Sequence, residues 1–135
     1  MFVIDASITL AWCFDDESSP AADAVLERLE HEDALAPPHW PLEVANALRT
    51  AERRGRIGAA DLSPLRALLA ALPVEIVPLE LSTALWSVLE EAREHDLTSY
   101  DAAYLDLARV RGLPLATVDE RLRAACAGAG VELIG

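Results

Sequence analysis

The chain contains no lysine: its 11 lysine-plus-arginine positions are all arginine. That absence argues against one alternative, a phosphotransfer or phosphatase α/β domain of the receiver or haloacid-dehalogenase kind, which needs a lysine beside its acidic nucleophile. The phosphatase kind would also need a second acid two residues after that nucleophile, where Ser7 stands. Cysteine is scarce, with Cys13 and Cys126 and no CxxC pair, so neither a disulfide framework nor a thiolate metal site is expected. Both cysteines fall in apolar helical patterns and read as core thiols. The three histidines, His31, His39 and His95, lack ligand spacing for zinc and read as solvated or capping residues. No apolar run approaches the roughly 18 residues of a membrane span. The opening MFVIDAS has no basic stretch and meets an acid at position 5, so no secretory signal is read there and a cytoplasmic protein is expected. Positive charge is also short: the net charge is −12. A broad basic surface for nucleic acid is therefore excluded, and an RNA substrate would have to be reached through metal ions and a few local arginines.

What is present is ordinary globular material, 53% apolar and 25% charged, which argues against disorder. With no linker or repeat, 135 residues are expected to form one domain over 1–135. Apolar periodicity predicts short buried strands at Phe2–Ile4, Ala34–Ala36, Glu75–Val77, Leu115–Thr117 and Val131–Ile134. Between them it predicts helices at Ala6–Phe14, from Ser19-Pro20 to Leu29, from Pro41 to about Arg54, Leu62–Leu72, Leu81–Glu94, from the Thr98 cap to about Arg111, and from Asp119 or Glu120 to Ala127. Pro20 and Pro41 suit helix starts, Ser63 is a possible cap before Pro64, and Gly55 and Gly112 suit helix ends. Alternating short strands and amphipathic helices imply a three-layer α/β/α fold with a central, mainly parallel sheet of about five short strands.

That architecture makes a prediction about four acids. In a parallel sheet the helices run against the strands, so helix N-termini lie at the carboxyl edge, where ligand sites of open α/β sheets are found. Asp5 ends the first strand. Glu43 lies in the first turn of the helix after the second strand. Asp101 lies in the first turn of the helix before the fourth strand, and Asp119 stands just beyond that strand. Each acid alone could cap or charge a helix start; Thr98-Ser99-Tyr100-Asp101 fits a capping box. Capping does not require four helix starts at one edge to carry acids. Clustered carboxylates repel, and a hard divalent cation such as Mg²⁺ relieves that repulsion through oxygen ligands. Such a site serves in-line displacement at phosphorus by a metal-activated water. Asp106, five residues after Asp101 and about 140° around the helix, should point away.

The same residues carry a resemblance. VIDASITLAW, PLEVANAL, LTSYDAAYLDLA and LATVDERL, in this order, resemble the four acidic motifs of the PIN-domain ribonucleases, specifically the VapC-type toxins of bacterial type II toxin–antitoxin systems. The resemblance implies a Mg²⁺-dependent endoribonuclease, with Mn²⁺ able to substitute, that forms a homodimer and is blocked by a cognate antitoxin. It implies Asp5 and Asp101 as metal ligands, Asp119 as completing the site through water, and Glu43 as orienting or activating the attacking water. Ser7 and Thr117 would hold carboxylates or waters in place. A catalytically silent PIN-like interaction domain is the alternative.

The most basic stretch is Arg49, Arg53, Arg54 and Arg56, which either offsets a helix C-terminus or contacts RNA. Arg54 would lie about 16 Å along the helix from Glu43, a spacing that suits a flanking phosphate. Asp15, Asp16 and Glu17 read as a solvated charge run. Trp12 and Trp86 read as core or dimer interface, and Trp40 as the tryptophan placed to touch substrate.

Overall fold

Three consecutive apolar residues can be satisfied in a strand only if both sheet faces are covered. Phe2–Ile4 (β1) is such a run, and all three side chains are fully buried. Ala34–Ala36 (β2) is buried likewise. Val74–Ile76 (β3) is more open, Leu115–Ala116 (β4) is buried, and Leu133–Ile134 (β5) is half-buried. These are the strands of a computed structural model that describes residues 1–134; Gly135, the last residue of the expected 1–135 span, lies outside the described residues. The strand order is β3-β2-β1-β4-β5 and every adjacent pair is parallel. The two open strands are therefore the sheet edges. Val3 faces Leu35 on one side and Leu115 on the other, which makes β1 the centre of the core.

Helices fill every crossover. β1 leads to β2 through α1 (Ala6–Ala11) and α2 (Pro20–Arg28), and β2 leads to β3 through α3 (Trp40–Arg53) and α4 (Ala59–Ala70). α5 (residues 81–95) and α6 (Ser99–Arg111) connect β3 to β4, and α7 (Glu120–Ala129) connects β4 to β5. α1 packs on α3, whereas α6 packs on both α5 and α7. Right-handed crossovers explain this division, since connections running toward β3 cover one face and those running back toward β5 cover the other. The expected α/β/α architecture is what the chain adopts. Strand order reverses at β1 and β4, so the crevice at their carboxyl ends is the natural place for a site.

Helix ends follow side-chain chemistry. Ser19 Oγ accepts from Ala22 N at 3.1 Å and starts α2 one residue before Pro20. α6 and α7 end on Gly112 and Gly130, both at positive φ, a left-handed backbone that strains residues bearing a Cβ. α5 ends instead on Asp96, the sole described non-glycine residue at positive φ, at 52°.

Several expectations are corrected. α1 stops at Ala11, because Trp12, Cys13 and Phe14 turn their N–H groups back onto Thr9 and Leu10. α4 begins at Ala59, since Asp61 Oδ2 accepts from Gly58 N at 2.8 Å; Pro64 therefore lies inside the helix and Ser63 is not its cap. α5 contains a π-helical stretch, Ala84–Val88, within the expected regular helix. Trp12 is half-buried and donates from Nε1 to Ala22 O at 2.7 Å, a packing role. Trp86 is 72% exposed and so is not core. Of the thiols, Cys126 is buried and Cys13 half-buried. No helix of the described residues is long and apolar enough to cross a membrane.

The left-handed backbone at Asp96 predicts that Asp96→Gly stabilises the fold by about 0.5–1 kcal/mol, less whatever entropy glycine adds to the unfolded chain. Urea denaturation checks this; a lower midpoint for the variant would show that Asp96 makes a compensating contact.

Candidate active site

Asp5 is the first residue after β1, and its N–H donates to Ala116 O of β4 at 3.3 Å, so the chain direction carries its side chain into the β1–β4 crevice. The side chain is 4% exposed. An anion so placed needs donors. Ile8 N gives one at 3.0 Å, which also makes Asp5 the N-cap of α1. Ser7 Oγ lies 2.8 Å from both carboxylate oxygens, and Thr117 Oγ1 donates to Oδ2. Thr117 is buried just beyond β4, and its hydroxyl also accepts from Asp119 N at 3.0 Å. Ser7 and Thr117 therefore clamp Asp5 between the first turn of α1 and the end of β4. Burial outweighs these donors and, with help from the Asp119 charge, pushes the Asp5 carboxyl up to about 6.

Asp119 caps α7, with Oδ1 accepting from Leu122 N at 2.9 Å. Asp101 sits in the first turn of α6, where its N–H donates to Thr98 Oγ1 at 3.1 Å. Among the described residues the Thr98 backbone N–H does not donate to its carboxylate, so the expected capping box is only half formed. The Asp101 carboxyl is raised by burial and then by the charges of Asp119 and Glu43. Electrostatic coupling thus runs from Asp5 to Asp119, from Asp119 to Asp101, and from Asp101 to Glu43. The four expected acids share one edge of the sheet.

Glu43 behaves oppositely. Burial works against its charge, but hydrogen bonds from His39 and Tyr104, with the attraction of the His39 ring, hold it below the usual carboxylate range. Its Oε1 is 3.0 Å from His39 Nε2 and 2.7 Å from the Tyr104 hydroxyl. Sequence reasoning missed both residues. Their signals were helical spacing: His39 is four residues before Glu43, and Tyr104 three after Asp101. Burial, the hydrogen bond to Glu43, and the surrounding carboxylates push the Tyr104 phenol far up, so it stays a donor.

Other expectations divide. Asp106 does point away; it is buried against Ser87 and Arg109, whose Nη2 is 3.1 Å from its Oδ1. Trp40 is buried, with Nε1 donating to Thr9 Oγ1 at 3.1 Å, which corrects its assignment as the substrate-touching tryptophan. Arg49 pairs with Glu52, and Arg56 with Asp16 and Glu17 while lying over the Phe14 ring; Arg53 and Arg54 are exposed. The 15–17 charge run is thus a 3₁₀ turn partly neutralised by Arg56. His31 is exposed as expected, but His95 is half-buried beside Glu91 at 3.4 Å. Glu91, Glu94 and His95 are the one described trio of acids, histidines or cysteines whose ligand atoms all lie within 4.8 Å of one another. Arg109 already neutralises Glu91 there.

A model of the PIN domain family matches residues 2–128 of the chain. Ribonuclease VapC12 of Mycobacterium tuberculosis is 34% identical over 122 residues, covering 90% of this chain and 89% of that protein. Ribonuclease VapC3 of the same organism is 35% identical over 106 residues, covering 78% and 74%. Among solved structures, PAE2754 from Pyrobaculum aerophilum superposes with a TM-score of 0.69 at 29% identity, covering 92% of this chain and 84% of that one. VapC20 of Mycobacterium tuberculosis, described as a sarcin–ricin-loop-cleaving toxin, superposes with a TM-score of 0.65 over 93% of this chain and 95% of that one. At 16% identity that likeness concerns the fold alone.

The raised Asp5 carboxyl has a consequence for stability. The folded protein binds this proton more tightly than the unfolded chain, so its stabilisation is present at low pH and lost as pH rises from 3.8 through about 6. The loss is on the order of 3 kcal/mol. In EDTA, the difference in melting temperature between Asp5→Asn and the parent should therefore move in the variant's favour from pH 4 to pH 7. A difference that stays constant with pH would show that Asp5 titrates normally.

Proposed function

Because the chain belongs to the PIN domain family, we propose that it is a metal-dependent endoribonuclease, the toxin of a toxin–antitoxin pair, acting in the cytoplasm. One observation carries this reading: four acids from four distant helix starts meet in one coupled group at the carboxyl ends of β1 and β4. The relatives named ribonucleases, at 34% and 35% identity, support it.

The donor set suits a hard cation. The four acids, with Ser7 and Thr117, offer carboxylate and hydroxyl oxygen, the chemistry that Mg²⁺ prefers and Mn²⁺ accepts. Asp5 and Asp101 are the acids whose charged forms are most disfavoured, so they are the proposed direct ligands. When bound, the ion would supply Lewis acidity toward water and the scissile phosphate. Asp119 would complete the site through water. Ser7 and Thr117 hold Asp5 in a single orientation. Glu43, held as a carboxylate, is the proposed acceptor of the proton that the attacking water loses.

An antitoxin and a homodimer belong to the same proposal. The charge of −12 and the carboxylate edge favour an antitoxin with a basic tail. Leu81, Leu85, Trp86 and Leu89 leave an apolar stripe exposed along α5, which supports burial against a second subunit.

Two experiments test the reading. Asp5→Asn and Asp101→Asn should each lower RNA cleavage by at least about 100-fold, and EDTA should abolish the parent's activity until excess Mg²⁺ or Mn²⁺ returns it. Unchanged cleavage in both variants would end the mechanism and leave an interaction domain. Separately, antitoxin affinity should fall as salt rises; a flat response would exclude a basic tail on the acidic edge.

A further inference from the structure

Glu43 lies on the surface of α3 with a long side chain that is about one-third exposed, 35%. A glutamate in that position would ordinarily sample several rotamers, and the entropy of stopping it must be met by specific contacts. Two such contacts are present, and both fall on the same oxygen. His39 Nε2 is 3.0 Å from Glu43 Oε1, and the Tyr104 hydroxyl is 2.7 Å from it. Among the described residues Oε2 receives no donor.

The proton on His39 can be placed from its partners. The hydrogen bond of Nε2 runs to the Tyr100 carbonyl oxygen at 2.9 Å, so its one hydrogen is shared between that oxygen and the nearby Glu43 Oε1. Glu43 Oε1 and Tyr100 O are both acceptors, so Nε2 must carry hydrogen. The ring is held from two sides, 4.9 Å from the Tyr104 ring at 61° and 5.6 Å from the Tyr100 ring at 53°. Tyr100 and Tyr104 belong to α6, whose first turn carries Asp101. His39 immediately precedes α3. One imidazole therefore ties the start of α3 to the start of α6 and sets Glu43 relative to Asp101.

We infer that His39 and Tyr104 are positioning residues for Glu43, which occupy its Oε1 and leave Oε2 to receive the proton of the attacking water. The inference rests on the nuclease reading. In the step it serves, Oε2 takes one proton from water as the water oxygen bonds to phosphorus. The phosphorus–oxygen bond on the opposite side breaks, and the departing oxygen takes a proton from solvent. His39 and Tyr104 exchange no proton; they hold the acceptor within reach. Tyr104 suits this task because its phenol remains protonated.

The test uses the full chain with His39→Ala, His39→Gln and Tyr104→Phe. The probe is a randomised-sequence RNA carrying a fluorophore–quencher pair, cleaved in Mg²⁺. His39→Ala and Tyr104→Phe should lower kcat by about 10–100-fold with KM changed by less than about two-fold. His39→Gln should return kcat to within about five-fold of the parent, because its amide N–H reaches the position of Nε2. A second measurement needs neither metal nor RNA: nitrogen-15 NMR of the metal-free parent at alkaline pH should show His39 as the Nε2–H tautomer. An active parent whose His39→Ala and Tyr104→Phe variants keep its kcat, or an Nδ1–H tautomer, overturns the inference. A parent that cleaves no RNA with Mg²⁺ overturns the nuclease reading instead, and the tautomer then decides the His39–Glu43 contact by itself.

Discussion

The Asp5 carboxylate sits almost out of water at the end of the central strand, and an anion can remain there only if donors are brought to it. Every nearby element answers that demand. α1 supplies the Ile8 N–H by starting at Asp5, and Ser7 adds a hydroxyl from its first turn. β4 brings Thr117 across from the adjacent strand, and the Thr117 hydroxyl then steers the Asp119 backbone. The parallel pairing of β1 with β4 is thus both core packing and site assembly. Moving β4 by one residue would turn Thr117 to the other face of the sheet and leave Asp5 short of a donor.

Around that point the carboxylates divide into two kinds. Asp5 and Asp101 are destabilised as anions, by burial and by neighbouring charge, and are the ones a cation would relieve. Glu43 is stabilised as an anion by two hydrogen-bonding partners that its own helix start and α6 provide. Titratable groups whose environments push them apart are suited to different tasks in one reaction. In the proposed reading the same fold edge would supply ligands and a base without any lysine.

Much of the fold was legible because its signals are local. Phe2-Val3-Ile4 and Ala34-Leu35-Ala36 are too short and apolar to be anything but covered strands. Ser19-Pro20, Thr98 and Asp119 announce helix starts through chemistry that acts over three residues. Local signals also misled. Pro64 read as a helix start, yet the Gly58–Asp61 pair three to six residues earlier had already nucleated α4. Trp40, beside the site in sequence, turned inward because Thr9 offered its indole a partner from α1. His39 read as solvated because its acceptor on Tyr100 lies on a helix about sixty residues away, beyond any local pattern.

By itself the sequence determined which residues could form the site: four acids, each at a predicted helix start, in a chain whose alternating elements permit a parallel sheet. That follows from periodicity and capping, which depend on neighbours a few residues apart. Only the tertiary structure decided how those acids differ. The lifting of Asp5 arises from burial that outweighs the Thr117 donor 112 residues away, and the lowering of Glu43 from donors that include Tyr104, 61 residues away. Charge states at a site are set by what surrounds them in space, and the surroundings exist only once the sheet has closed around β1.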